Sequence, residues 1–323
     1  MFKIFIVCLL LLAAPVQVSA AEKIRAAFPS LATALSPSWI AAETGAWKKY
    51  GFDVELIYLD GGTRAVSSLV GGSTQFVFGS DILVTTANIQ GANLLRLGVT
   101  TNTLGYALVT SPSVQSVKDL KGKVLGITMG RDAAYARLAK ILSDNGVDPK
   151  NDVKLLPIGG GPSGRVAALQ AGRIHGTMLT PPTDLNAERA GMKVLLRMDV
   201  PSIAGGVTVA GSLAQKNRPM VINFLKGYME GIHYLKTNKA GSLKVFAKYL
   251  RSSDTKTLAY LYDEIAGRVE KELRPQAESV RFLLDLVAQD QPKAERLSES
   301  DHWDLSYIEE IKRSGFIDKL YAQ

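Results

Sequence analysis

Apolar residues recur along this chain with two different periods. Residues 53–59 alternate apolar and polar side chains, with Val54, Leu56 and Tyr58 on one face, as a half-buried strand does. Val221, Phe224, Leu225, Tyr228, Ile232 and Leu235 instead follow the i, i+3, i+4 spacing of an amphipathic helix. By the same criteria strands are expected over 23–28, 94–99, 107–110, 124–127, 153–156 and 206–210. Helices are expected over 40–50, with Gly51 as its C-terminal cap, and over 242–250, 255–269, 276–287 and 305–313. A helical turn is expected over 117–123, and Ala134, Leu138 and Ile141 mark a further helix. Strands and helices therefore alternate through the first two thirds of the chain, and helices alone follow. That order predicts an α/β fold with parallel strands.

Part of this pattern is written twice. Gly61, Gly62, Thr63, Val66, Leu69, Gly72, Ser80, Ala87, Gly91 and Leu95 stand one hundred positions before Gly161, Pro162, Ser163, Val166, Leu169, Gly172, Thr180, Ala187, Gly191 and Leu195. Seven of these ten pairs are identical, and two more keep a small hydroxyl. Each copy reads as a glycine-rich turn, a hydroxyl suited to cap a helix, a short helix, a strand, a second hydroxyl and a second helix. Such a unit places backbone-rich loops at the carboxyl ends of parallel strands, where open α/β sheets bind ligands. Two copies imply two lobes facing one cleft. Ser111-Pro112-Ser113 and Val200-Pro201 interrupt the pattern. They put one lobe at 21–110 plus 203–323 and the other at 111–202, with the C-terminal helices on the first.

Residues 1–20 stand outside this scheme. Lys3, an apolar run over 4–14 and the small residues Val18-Ser19-Ala20 form a secretory signal with cleavage expected after Ala20. The run is too short to span a membrane. Cys8 is the only cysteine and falls within the signal, so an exported product has no thiol for disulfides, catalysis or metal binding. The net charge of +8 is spread among acidic residues, with no basic run or basic–aromatic alternation. A nucleic-acid partner is therefore not expected.

Few residue patterns suggest reaction chemistry. His175, His233 and His302 are far apart, with no zinc-ligand spacing, so no metal is expected. No Gly-x-Ser-x-Gly elbow or phosphate loop occurs. Gly159-x-Gly161-x-x-Gly164 matches a dinucleotide fingerprint, but Pro162 interrupts it and no acidic residue follows at the required distance. Its backbone N–H groups are better suited to an anion or carbonyl oxygen, and Asp60-Gly61-Gly62-Thr63 offers the same in the other lobe. No cofactor and no catalysis are expected. Ser30, Ser38, Trp39, Gly62, Thr63, Ser80 and Asp81 are the expected ligand contacts of one lobe. Arg131, Asp132, Ser163, Thr180 and Pro181 are those of the other, with Arg131 suited to an anionic group.

Several segments also resemble a known family. Trp39-Ile40-Ala41-Ala42-Glu43-Thr44-Gly45-Ala46-Trp47 and its continuation to residue 56, together with 62–65, 119–126, 167–172 and 304–321, resemble the periplasmic solute-binding proteins of nitrate–sulfonate–taurine type ABC importers. That family shares a domain with thiamine-pyrimidine synthases. The resemblance implies a type II periplasmic binding fold: two α/β lobes, two crossing hinge strands and closure on ligand. It further implies a periplasmic monomer that hands a small molecule to an inner-membrane permease. Leu179-Thr180-Pro181-Pro182 and Gly130-Arg131-Asp132-Ala133 depart from the Trp-Glu-Pro and Gly-Ser-Thr/Ser-Ala of many relatives. A thiamine-precursor enzyme and a ligand-sensing module for a membrane receptor are the other readings. The enzyme's cysteine-rich segment has no counterpart in an exported chain without cysteine.

Overall fold

A computed structural model describes residues 21–128 and 133–322. Its ten strands are β1 (Glu22–Phe28), β2 (Phe52–Tyr58), β3 (Phe76–Phe78), β4 (Leu94–Gly98), β5 (Thr101–Thr110), β6 (Val124–Ile127), β7 (Lys154–Pro157), β8 (Gly176–Leu179), β9 (Lys193–Ala204) and β10 (Val207–Ala210). Its helices are α1 (Ser36–Glu43), α2 (Gly62–Val70), α3 (Asp81–Ile89), α4 (Ala133–Asp144), α5 (Gly161–Gln170), α6 (Thr183–Arg189) and α7 (Gly211–Lys216), followed by α8 (Arg218–Thr237), α9 (Lys239–Leu250), α10 (Thr255–Ala266), α11 (Ala277–Ala288), α12 (Ser306–Arg313) and α13 (Phe316–Tyr321). The short α7 and α13 carry too few residues to show a helical period and were not expected.

The strands form two five-stranded sheets, ordered β2-β1-β3-β10-β4 and β7-β6-β8-β5-β9. In the first, β1 runs parallel to β2 and β3, and β10 is antiparallel to β3 and β4. In the second, β6 runs parallel to β7 and β8, and β5 is antiparallel to β8 and β9. The repeat is thus a repeat of structure: β3 corresponds to β8, α2 to α5 and α3 to α6. The fourth strand of each sheet comes from the other half of the chain. Two lobes joined by two crossings follow from this exchange.

Those crossings lie elsewhere than expected. The break anticipated at Ser111 comes ten residues earlier, because β5 pairs along its length with β9, from Thr101 opposite Ala204 to Thr110 opposite Lys193. Residues 101–106 are largely polar, so only 107–110 had read as strand. The second crossing is Gly205-Gly206, just beyond the expected boundary at 202. Both glycines have positive φ, and Gly206 N–H donates to Thr100 Oγ1 at 2.6 Å. Thr100 Oγ1 lies 2.6 Å from the buried hydroxyl of Tyr228. A side chain on Gly205 would collide with Thr100, so the two chain passages touch only because this position is bare.

The expected helix over 40–50 is two elements. Pro37 sits in the first turn of α1, where its missing N–H costs nothing and its φ is already helical. The helix therefore starts at Ser36, ahead of the expected start at residue 40, and left-handed Gly45 separates it from a 3-10 turn over Ala46–Tyr50. Trp47 in that turn donates Nε1–H to Phe224 O at 2.9 Å and stacks on the Phe224 ring at 5.1 Å. The main core joins one face of the first sheet to α1, α8, α9, α10 and α12. Smaller cores cover both faces of the second sheet.

Close packing of α1 on α8 gives a first prediction. Gly231→Ala should gain about 1 kcal/mol of helix propensity. Its Cβ, however, would strike the carbonyl oxygen of Pro37 and lie 3.1 Å from Ala41 N. Backbone cannot move aside as a side-chain tip can, so overpacking of about 1–3 kcal/mol wins. Urea unfolding should show net destabilisation, and a stabilised variant would contradict this packing.

Candidate functional site

The carboxyl ends of β1 and β8 carry the loops that meet between the sheets. A cavity of about 150 Å³ opens there. It is lined by Thr33 and its alanine neighbours from the β1–α1 loop and by Thr180 and Pro181 from the β8–α6 loop. Leu104 and Gly105 of crossing strand β5 form its floor, with Glu264, Ile265 and Arg268 from α10 and its end. Both lobes, a crossing strand and the C-terminal helices therefore converge on one space.

Past Glu264 and Arg268 the cavity meets a more polar one of about 330 Å³, which shares Gly105 and Pro181. Gly105 leaves room at this junction for the tips of two charged side chains. A Cβ there would lie 2.7 Å from Glu264 Oε2 and 3.1 Å from an Arg268 nitrogen. Asp254, Thr257, Tyr260, Glu264 and Arg268 form one stripe along α10 and its flanks, at the three- and four-residue spacing of a helix face. That stripe reaches the other lobe. Arg189 of α6 meets Asp254 at 2.7 Å and Thr257 at 2.8 Å. Tyr260 donates to Asp184 at 2.5 Å, Arg197 donates to Tyr260 at 2.7 Å, and Arg268 meets Asp199 at 2.7 Å. Asp184 is buried, pairs with Arg197 and leaves its Oδ1 without a partner. Burial, together with the hydrogen bond to Asp184, pushes the Tyr260 hydroxyl above the usual tyrosine range. Burial opposes the charge of Arg197, but its hydrogen bond to Asp184 and the acidic neighbours outweigh that and raise it.

The expected site residues fall into several groups. Thr180 and Pro181 line the cavity. Ser80 adopts a left-handed conformation, φ 64°, that a non-glycine residue rarely takes, and its buried Oγ has no partner. It faces Gly62, whose added Cβ would lie 3.0 Å from that oxygen. Ser30 is exposed on the β1–α1 loop, its Oγ accepting from Ala32 N–H at 3.4 Å. Thr63 and Ser163 are exposed in the first turns of α2 and α5 and do not line the cavity. Neither caps its helix: Gly61 and Gly160 hold the capping positions, because positive φ turns the chain there. Arg131 and Asp132 lie outside the described residues.

Three expectations are corrected. Trp39 is fully buried, stacked on Tyr249 at 5.0 Å, and belongs to the core rather than a cleft wall. Ser38 is buried with its hydroxyl donated to Leu35 O at 2.7 Å, because α1 begins before it. Asp81 begins α3 beside buried Arg96 and is not open to a ligand amine. The Arg96 guanidinium donates to Asp81 O and to Thr85 Oγ1, the latter at 3.0 Å, and lies 4.7 Å from the Trp303 ring centre. Burial pushes the Asp81 carboxyl up to about 6, with Arg96 opposing that rise. His302, whose carbonyl accepts from Arg96 N–H, is pushed down to about 4 by burial and by the Arg96 charge. Arg96, Gly105, Tyr260, Glu264 and Arg268 carry no local signature, since each acts on residues remote in sequence.

A family model described as NMT1/THI5 like matches residues 32–240. No curated protein matches the chain. Among solved structures, the periplasmic aliphatic sulphonate binding protein SsuA of Escherichia coli superposes with a TM-score of 0.67 at 18% identity, covering 88% of this chain and 99% of that one. The alkanesulfonate-binding protein SsuA of Xanthomonas axonopodis pv. citri, bound to MOPS, gives 0.59 at 19% identity over 88% and 97%. A DszB mutant in complex with biphenyl-2-sulfinic acid gives 0.69 at 13% identity over 91% and 99%. At these identities the likeness is one of fold.

Proposed function

The chain belongs to the NMT1/THI5-like family and has the two-lobed fold of periplasmic binding proteins, and from that premise we propose that it is the solute-binding component of an ABC importer. It captures a small organic molecule between its lobes and passes it to an inner-membrane permease. The observation that carries this reading is the cavity shared by the β1–α1 loop, the β8–α6 loop and crossing strand β5. A ligand there touches both lobes, so it favours the closed arrangement over the open one. Thr180 and Pro181 act from the second lobe. Ser80, with its strained backbone and unpartnered hydroxyl, acts from the first, next to Gly62. Ser30, on the β1–α1 loop, Thr63 and Ser163, exposed in the first turns of α2 and α5, and Arg131 and Asp132, outside the described residues, are the remaining candidates. The cavity lining holds threonine, glutamate and arginine but neither histidine nor cysteine, which suits non-covalent binding. The signal-like residues 1–20 place the product in the periplasm, where it works as a monomer.

Thermal melting in the presence of sulfonates, carboxylates, pyrimidines and nitrate tests this, because a ligand bound by the native state raises the melting temperature. We expect one class to raise it, and Thr180→Val to weaken that ligand about tenfold, the value of one lost hydrogen bond of ~1.4 kcal/mol. The unliganded melting temperature of the variant should be unchanged. No stabilising compound, or unchanged affinity in Thr180→Val, would remove the cleft reading.

A further inference from the structure

A second opening lies wholly on the first lobe. It is a groove of about 450 Å³ lined by Phe28, Leu31, Leu56, Tyr58, Tyr249 and Arg251, with Lys248 at its edge. Leu31 stands on this side of the β1–α1 loop, while Ala32, Thr33 and Ala34 face the cleft cavity. No residue of the second lobe contributes to it, so it is a different site from the cleft and does not depend on the cleft reading.

Three observations give the groove a chemistry. Its walls are aromatic: the Phe28 ring lies 5.4 Å from Tyr58 and 6.3 Å from Tyr249. Two large apolar side chains are left open to solvent there, Leu31 at 39% and Tyr58 at 48% exposure, where folding alone would favour covering them. The cations differ in their pairing. Lys248 donates to both carboxylate oxygens of Glu43 at 2.7 Å. The Arg251 side chain, by contrast, makes no hydrogen bond or ion pair among the described residues; only its backbone N–H is engaged, with Ala247 O. Arg251 also takes a left-handed conformation, φ 50°, at the C-terminal cap of α9. Glycine or asparagine relieves strain at such a cap, so arginine is favoured there for its side chain and not for its backbone. A planar guanidinium beside an aromatic slot matches a carboxylate attached to a flat apolar ring.

We infer that this groove is a binding site for an aryl carboxylate, with the ring lying on the aromatic wall formed by Tyr58, Tyr249 and Phe28 and the carboxylate on Arg251. The probe is 2-naphthoate, measured by calorimetry on the full exported chain. Its neutral amide and octanoate serve as comparison compounds. Arg251→Asn removes the cation and suits the left-handed cap, so the fold is retained. It should weaken 2-naphthoate at least tenfold and leave 2-naphthamide unchanged. Tyr58→Ser should weaken both. Octanoate should bind at least tenfold more weakly than 2-naphthoate. Thr180→Val, in the cleft, should not affect 2-naphthoate. Unchanged 2-naphthoate affinity in Arg251→Asn overturns the assignment. So does loss of binding in Thr180→Val, which would move the ligand to the cleft. Octanoate binding as tightly as naphthoate would overturn the aromatic specificity.

Discussion

Arg96→Met is expected to lower stability by about 3–5 kcal/mol, because it strands a buried carboxylate while preserving most of the side-chain volume. Arg96 is 1% exposed, and Asp81 beside it is the first residue of α3. The guanidinium also lies against the Trp303 ring at 4.7 Å, while the Arg96 backbone, unaffected by the substitution, pairs with His302 O and Asp304 N–H. Without the cation, burial alone acts on Asp81 and raises its pKa beyond the native value of about 6. A carboxyl with a raised folded-state pKa contributes stability that is present at low pH and lost as pH rises through that value. The variant should therefore lose stability as pH climbs from about 4 to 8. Arg96→Met with Asp81→Asn removes the titrating group and should lose that slope along with part of the deficit. His302 works in the opposite sense, since a depressed histidine costs stability as pH falls from about 6.5 to 4. Comparing the single with the double variant cancels its contribution. Urea unfolding at several pH values decides the matter. A loss under about 1 kcal/mol, or the same pH slope in both variants, would mean that Asp81 does not need Arg96.

Removing the α10 bridges should have the next largest effect, on lobe arrangement more than on folding. Arg197→Ala leaves buried Asp184 with Tyr260 alone, a penalty of about 1–3 kcal/mol. Arg268→Ala removes a half-exposed pair with Asp199 worth about 0.2–1 kcal/mol. The Arg197 bond to Tyr260 and the Arg268 pair with Asp199 both tie α10 to the second lobe, so losing them favours the open arrangement. The double variant should show a larger radius of gyration by small-angle scattering without ligand. Wild type should move the same way at about 1 M salt, where screening shortens to ~3 Å. Identical scattering from both proteins would show that these bridges form without restraining the lobes.

Much of the architecture was readable locally. The period over 221–235 marks α8, the alternation over 53–59 marks β2, and the hundred-residue offset matches β3 to β8 and α3 to α6. The site was read less completely. Thr180 and Pro181 stand out in the sequence because hydroxyls and prolines at strand ends are a local signal, and both line the cavity. Trp39 and Ser38 are misplaced because the helix expected from residue 40 in fact starts at Ser36, with Pro37 in its first turn, which turns both side chains inward.

Helix and strand periods, and the duplicated hydroxyl-and-glycine unit, come from neighbouring residues and are determined by the sequence itself. Tertiary structure alone decided that β5 and β10 exchange sheets, because residues 101–106 become strand only through pairing with β9. It likewise decided that α10 closes the cavity with Glu264 and Arg268 against Gly105. Those residues meet across about half the chain, and no local spacing records a contact that only packing creates.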